Sequence, residues 1–423
     1  MANIRSRGAD NISWAVLGSA PTQAPADADT PAVDKRGGQA EGQHSAVWSH
    51  TCTQFDRCRR FAFRKCNPRG PMRAHASLTL FTLALLIPSL ILGSSSSEPF
   101  HDLLAQRAGA NPDDFARYAR PGGVFAKILP HIRDGELGAA GAVRIPVTID
   151  FFLEQFRDIE KFKKGPAVLA IGKFSSPPRE QDLARLTLGT KDLDGLAACK
   201  PGQCSLKLSI AMMNRLRSTA KTRGGGSELA NQFRAVLWDY LSTYLAQGTE
   251  AMISYGDSTP PVSASERFLE VLGEFGWVQQ DASRLFRILK DAKSVTAPDI
   301  YEFLYWSQER FGLKPVVSLT DVVVLRTTML GKPWAIIGSK QIYADHYFEA
   351  SLGLTMIAGE SANASVPGIS VAYFNRSQTD GLRGWFASLE RSIVERRVRS
   401  WMAKNLLTMR SNLGAAYRDR GPH

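Results

Sequence analysis

The stretch Trp334-Ala-Ile-Ile-Gly-Ser-Lys-Gln-Ile-Tyr-Ala-Asp-His-Tyr-Phe-Glu-Ala-Ser-Leu-Gly-Leu-Thr-Met-Ile357 decides the fold. Trp334, Ile336, Ile342, Ala344, Phe348, Ala350, Leu352, Leu354 and Met356 share one parity, the period of a strand with one face in a core. One long bent strand or two strands in succession fit the pattern; a short helix over Ile342–Leu352 is the competing reading. On either side, Val316–Leu325 and Ile369–Phe374 are rich in β-branched and aromatic residues and read as further strands. Residues Gly359–Gly368 make a turn. Asp380 then reads as the N-cap of a helix reaching about Asn412, with Leu382, Trp385, Leu389, Ile393, Trp401 and Met402 toward the core. Long strands followed by one long helix predict an α+β fold, a curved antiparallel sheet packed on the C-terminal helix.

Working toward the N-terminus, Ser209–Phe311 is mostly helical in pattern and forms a large insertion at about 209–311. Phe233, Leu237, Tyr240, Leu241 and Tyr244 make one apolar stripe, and Phe268, Leu269, Leu272 and Phe275 another. Tyr301, Phe303, Leu304, Tyr305 and Trp306 crowd a third, too densely for one helix face. The glycines at Gly224–Gly226 follow no strand and precede no Lys-Ser/Thr, so they are a connection and not a phosphate cradle. Before the insertion, Val143–Val147, Val168–Phe174 and Ser205–Leu208 read as strands and Asp150–Phe162 as a helix. Residues 100–135 read as short helices with turns at Asn111-Pro112 and Pro121-Gly122-Gly123.

The chain has 423 residues and a formal charge of +12; residues after 97 keep 41 bases against 34 acids. That mild surplus fits an anionic partner such as a membrane surface. No RNA-binding signature, zinc-finger spacing or basic-aromatic interleaving is present, so nucleic acid is not an expected partner. Residues 1–71 lack an amphipathic pattern and read as a disordered or mis-assigned extension. Met72-Arg73-Ala74-His75 and the uncharged run Ala76–Gly93 form a basic n-region and an apolar h-region, followed by small residues at Ser94–Ser97. Residues 72–97 thus read as a signal peptide or signal anchor, with 76–93 as a marginal membrane span. The expected location of the domain over 98–423 is periplasmic or otherwise extracytoplasmic. Cys199 and Cys204 flank a Pro201-Gly202 turn and are expected to form a disulfide there; free thiols and a zinc half-site are the other readings.

The element order, strand, helix, strand, then several long strands and a final long helix, resembles that of START-like, helix-grip lipid-binding domains. The resemblance rests on Val143-Arg-Ile-Pro-Val147 followed by Phe151–Phe162, and the helical insertion departs from it. The segments Phe162-Lys-Lys-Gly-Pro166 through Phe174-Ser-Ser-Pro-Pro178, Cys199–Cys204 and Ser339–Phe348 are similar to those of uncharacterised exported proteins of Gram-negative bacteria, over roughly Glu98 to Leu413. That resemblance implies the compartment and no activity.

The densest polar-aromatic cluster is Ser339–Tyr347. An Asp on an apolar strand face is costly unless paired, and Asp321 shares its parity with Val317, Leu319, Val323 and Leu325. Opposite His346 or Lys340 on a neighbouring strand, Asp321 is compensated. Asp321, Lys340, Tyr343, His346 and Tyr347 are therefore the candidate ligand-binding residues, with a structural ion pair and a satisfied core histidine as the plainer alternative. No Gly-x-Ser-x-Gly elbow, His-Glu-x-x-His or Walker loop occurs, and no cofactor or metal is expected. Arg383, Arg391, Arg396, Arg397, Arg399 and Lys404 give the last helix a basic face, solvated or in contact with anionic lipid or lipopolysaccharide. Three functions follow in order: an exported binding protein for a lipid or hydrophobic ligand, an envelope structural or interaction protein, and an enzyme using His346, Asp321 and Lys340.

Overall fold

The alternating stretch folds as two strands joined by a tight turn at Asp345–Tyr347, where Tyr347 takes φ +60° and the Phe348 amide donates to the His346 carbonyl at 2.6 Å. The computed structural model describes residues 99–221, 226–291, 297–310, 314–360, 368–383 and 387–421. The expectations for residues 1–71 and 72–97 lie outside these. Among the described residues no helix is long and apolar enough to cross a membrane.

In chain order, α1 (Pro99–Ala108) and α2 (Pro112–Ala119) lead to β1 (Val124–Leu129) and β2 (Glu136–Ile145), then α3 (Ile149–Arg157), α4 (Ile159–Phe162) and β3 (Val168–Lys173). A mainly helical region follows: α5 (Thr190–Leu196), α6 (Ile210–Lys221), α7 (Gly226–Gln247), the short pair β4 (Ser254–Tyr255) and β5 (Val262–Ser263), α8 (Ala264–Gly273), α9 (Val278–Asp281) and α10 (Ser283–Asp291). Five long strands come next: β6 (Ile300–Arg310), β7 (Pro315–Met329), β8 (Lys332–Ala344), β9 (Phe348–Gly359) and β10 (Ile369–Thr379). The last helix is α11 (Ala387–Asp419).

Local chemistry sets the boundaries. Asn111 and Asp114 form a reciprocal capping box on α2, with Pro112 in its first turn. Thr148 caps α3 by accepting from the Phe151 amide at 3.1 Å, and Asp158 ends α3 and caps α4. The Cys199–Cys204 disulfide spans the expected Pro201-Gly202 turn, where Gly202 takes φ +76°.

The sheet has eight strands in the order β1-β2-β10-β9-β8-β7-β6-β3, and every neighbouring pair is antiparallel. Both faces are buried. One carries Trp306, Leu319, Val323, Ile336, Leu352, Leu354 and Phe374 against α1 and the inserted helices. The other carries Tyr305, Val322, Ile337, Ile357, Val371 and Tyr373 against α3 and α11. Helix α11 runs close along β2 at Gly141: a Cβ there would lie 2.6 Å from Leu406 Cδ1 and 2.8 Å from Met402 Sδ, and those side chains would have to shift.

The fold class is as the sequence predicts, with five corrections. Residues Tyr301–Trp306 belong to β6 and are not a helix, so the inserted helices end at Asp291 and not near 311. Their aromatic crowding is that of a strand buried on both faces: Trp306 packs with the insertion while Phe303 and Tyr305 pack with the α11 side. The edge strand β1 falls within residues read as helix and turn, and Ser205–Leu208 is not a strand. Asp380 does not cap α11, which begins at Ala387; its carboxylate meets Lys207 Nζ at 2.9 Å and its amide donates to the Tyr347 carbonyl. Ile393, expected in the core, is 40% exposed.

Candidate functional site

The structure divides the five predicted site residues among three places, all on the insertion side or at the β8–β9 turn. Asp321 and Lys340 are register partners across β7 and β8. Asp321 Oδ2 accepts from Tyr244 OH at 2.7 Å. Lys340 is fully buried; its ammonium donates to Thr249 Oγ1 at 2.5 Å and the Leu289 carbonyl at 3.3 Å, over the rings of Phe268 and Tyr244. Burial lowers its pKa to about 7, against the opposing pull of Asp321. Burial raises the pKa of Asp321, against Lys340 and the Tyr244 hydroxyl.

Tyr343 packs against the rings of Tyr240 and Tyr255, and its hydroxyl has no partner. His346 belongs elsewhere: Nε2 lies 3.3 Å from Asp192 Oδ2 without the alignment of a hydrogen bond. Asp192 Oδ1 also accepts from Lys314 Nζ at 3.0 Å, and Tyr347 OH from the Lys314 amide. Burial lowers the His346 pKa more than Asp192 raises it. Asp345 is a turn brace, its Oδ1 accepting from the Val317 amide at 2.8 Å. His346 thus shares no partner with Asp321 or Lys340.

The α11 side of the sheet holds a different arrangement. Alternation places Ser377, Ser351, Gln341, Thr320 and Tyr305 on this face, and each is the direct register partner of the next across β10, β9, β8, β7 and β6. Ser377 Oγ donates to Ser351 Oγ at 2.8 Å and to Asn375 Oδ1 at 3.0 Å, while Asn375 Nδ2 donates to Ser351 Oγ at 3.2 Å. At the β6 end, Lys163 Nζ donates to Glu309 Oε1 at 2.6 Å and to Tyr305 OH at 3.3 Å, and Ser307 Oγ donates to the same Glu309 oxygen. Burial opposes the Lys163 charge, but Glu309 and Tyr305 outweigh it and raise its pKa.

On one side of this polar row the same face is apolar, with Val371, Ile357, Ile337 and Val324 toward Phe152 and Phe156. Among the described residues, Asn405 Nδ2 of α11 is buried with no hydrogen-bond partner, and Tyr373 OH, beside Asn375, makes no well-aligned one. Tyr373 is the register partner of Gly141, the residue against which α11 rests. Burial, then Tyr305, raises the Tyr373 pKa against the lowering effect of Asn375, so its hydroxyl stays protonated. A helical reading of Tyr301–Trp306 hides the row in the sequence. Its signal was the polar alternation Tyr305-x-Ser307-x-Glu309 and Tyr373-x-Asn375-x-Ser377, which only a strand reading brings to one face.

No protein-family model matches this chain, and no curated protein matches it.

Proposed function

We propose that the chain is an exported, non-catalytic binding protein that holds a lipid or other hydrophobic ligand between the sheet and α11. The observation that carries the reading is the polar row from Ser377 to Tyr305 lying beside an apolar half of the same buried face. An amphipathic surface inside a core suits an occupant with a hydrocarbon part and a polar end. Asn405 Nδ2, and the Tyr373 hydroxyl beside Asn375, offer that end hydrogen bonds that the described residues leave unmade. The buried charges beside the row, Lys163 and Glu309, already neutralise each other, so the polar end is a neutral hydroxyl, carbonyl or amide. The strand order supports a helix-grip layout: β2, followed by two helices and β3, pairs with the last strand, and a long helix closes that face.

Native mass spectrometry of protein purified from the periplasm, with lipid extraction, tests the reading. A co-purifying hydrophobic molecule is expected, and Tyr373→Phe with Asn405→Leu should lose it while melting as a folded protein. Unchanged ligand content in that variant would place the ligand elsewhere. A reading as an envelope structural protein has one specific support, the tight seating of Met402 and Leu406 on Gly141; it predicts no bound mass in either protein. Export is tested separately by fusing residues 72–97 to a reporter active only outside the cytoplasm. Signal is expected, replacing Leu85 and Leu86 with Arg should abolish it, and a silent native fusion would refute export.

A further inference from the structure

The side of α11 turned away from the sheet has its own chemistry. From Arg396 to Arg418 the helix contains no acidic residue. Arg396, Arg399, Lys404 and Arg418 are exposed on it, without an ion pair among the described residues. At both ends of the helix, by contrast, bases are engaged: Arg391 donates to the Glu136 carbonyl at 2.7 Å, and Arg420 grips Glu154 at 2.6 and 2.9 Å. Ile393 and Leu407 stand among the unpaired bases, 40% and 37% exposed, about 21 Å apart at the helical rise of about 1.5 Å per residue. Large aliphatic side chains surrounded by cations, on a helix whose other face is packed, match an interface of anionic headgroups over acyl chains.

We propose that the outer face of α11 docks on an anionic lipid surface, with Arg396, Arg399 and Lys404 contacting headgroups and Ile393 and Leu407 entering the interface. Charge complementarity selects this occupant, and the two apolar residues favour lipid over a purely ionic partner such as nucleic acid. The proposal does not depend on a ligand under α11.

Cosedimentation of the full chain with phosphatidylcholine vesicles, with and without phosphatidylglycerol, tests it. Binding should require phosphatidylglycerol and fall with added salt. The triple variant Arg396→Gln, Arg399→Gln, Lys404→Gln should partition roughly 100-fold more weakly, at about a factor of five per cation. These side chains are exposed and unpaired, so circular dichroism should be unchanged. Ile393→Ser with Leu407→Ser should weaken binding while leaving its salt dependence in place. The difference between wild type and variant reads α11 alone, whatever residues 72–97 contribute. Equal partition of the triple variant and wild type, equal binding to neutral vesicles, or binding to duplex DNA with none to vesicles would each overturn the proposal.

Discussion

The two faces of the sheet bury polarity in opposite ways. On the insertion side the register partners Lys340 and Asp321 sit in aromatic surroundings, Lys340 over Phe268 and Tyr244, Asp321 under the Tyr244 hydroxyl. Each is closed by groups from the inserted helices, so this chemistry fastens the insertion to the sheet. On the α11 side the polar groups are small, mostly neutral and continuous across five strands, from Ser377 to Tyr305. A point of polarity enclosed by its neighbours is a fastening; a row of it beside an apolar surface is a lining. A buried charge costs more desolvation than a neutral polar group, which is why Lys340 and Asp321 are closed in by partners while the neutral row runs open across its strands.

The largest effect should come from the buried Lys163–Glu309 pair on the lining side. Lys163→Met strands Glu309 in the core and should cost roughly 3–5 kcal/mol in urea unfolding, as for other broken buried pairs. Adding Glu309→Leu should return most of it. Failure of the double variant to recover would mean that the pair also orders α4, and the contrast between the faces would need redrawing.

Next, Asp321→Asn should cost about 1–3 kcal/mol. Combined with Lys340→Met the loss should be less than the sum, whereas combined with His346→Gln it should be additive within about 0.5 kcal/mol. Coupling to His346 would reunite clusters that the structure separates. The same site predicts a pH dependence. Lys340 titrates at about 7 in the folded protein and near 10.5 when unfolded, so between those values the unfolded chain binds the extra proton. Stability should therefore rise with pH across that window, the gain shrinking as pH falls from 10.5 and gone by about 7. Lys340→Met should flatten the rise.

The Cys199–Cys204 bond closes a short loop, and replacing both with Ser should cost about 2 kcal/mol. Alkylation should modify neither thiol before reduction. Smallest in energy is the lining itself: Thr320→Val should change stability by no more than about 1 kcal/mol but lower the co-purifying ligand. A full complement of ligand in that variant would break the distinction between lining and fastening.

Much of this architecture is legible in the residues. The alternation from Trp334 to Ile357 marks β8 and β9, and the cysteine spacing marks the disulfide. The pairing of Asp321 with Lys340 follows from the cost of a lone carboxylate at an apolar parity. The misreadings share a cause. In β6, aromatic residues occupy both faces, so Tyr301–Trp306 shows no period of two and the polar parity of Tyr305, Ser307 and Glu309 is hidden. At Ile342 a register shift between Leu319 and Thr320 turns both Ile342 and Tyr343 toward the insertion. Parity counted through that bulge places His346 beside Lys340, which the turn does not. Helix α11 starts late because Asp380 and Arg383 are held elsewhere, the latter by a two-pronged contact with Glu349 at 2.6 and 2.8 Å. No local pattern announces such a tether.

Strand pairing across the insertion has a consequence for how the molecule is made. Ile145 pairs with Ile369, and Val168 pairs with Glu309. Strands β6 to β10 can grow as a meander of neighbours, but β2, paired locally with β1, meets β10 only after everything between Ile145 and Ile369 has been made. Loop closure on that scale is slow compared with hairpin growth. The rate of refolding should accordingly be set by capture of β2 against β10, and until then one flank of the longest strands stays open. Until that capture the free edge of β10 is a template for another copy of the chain.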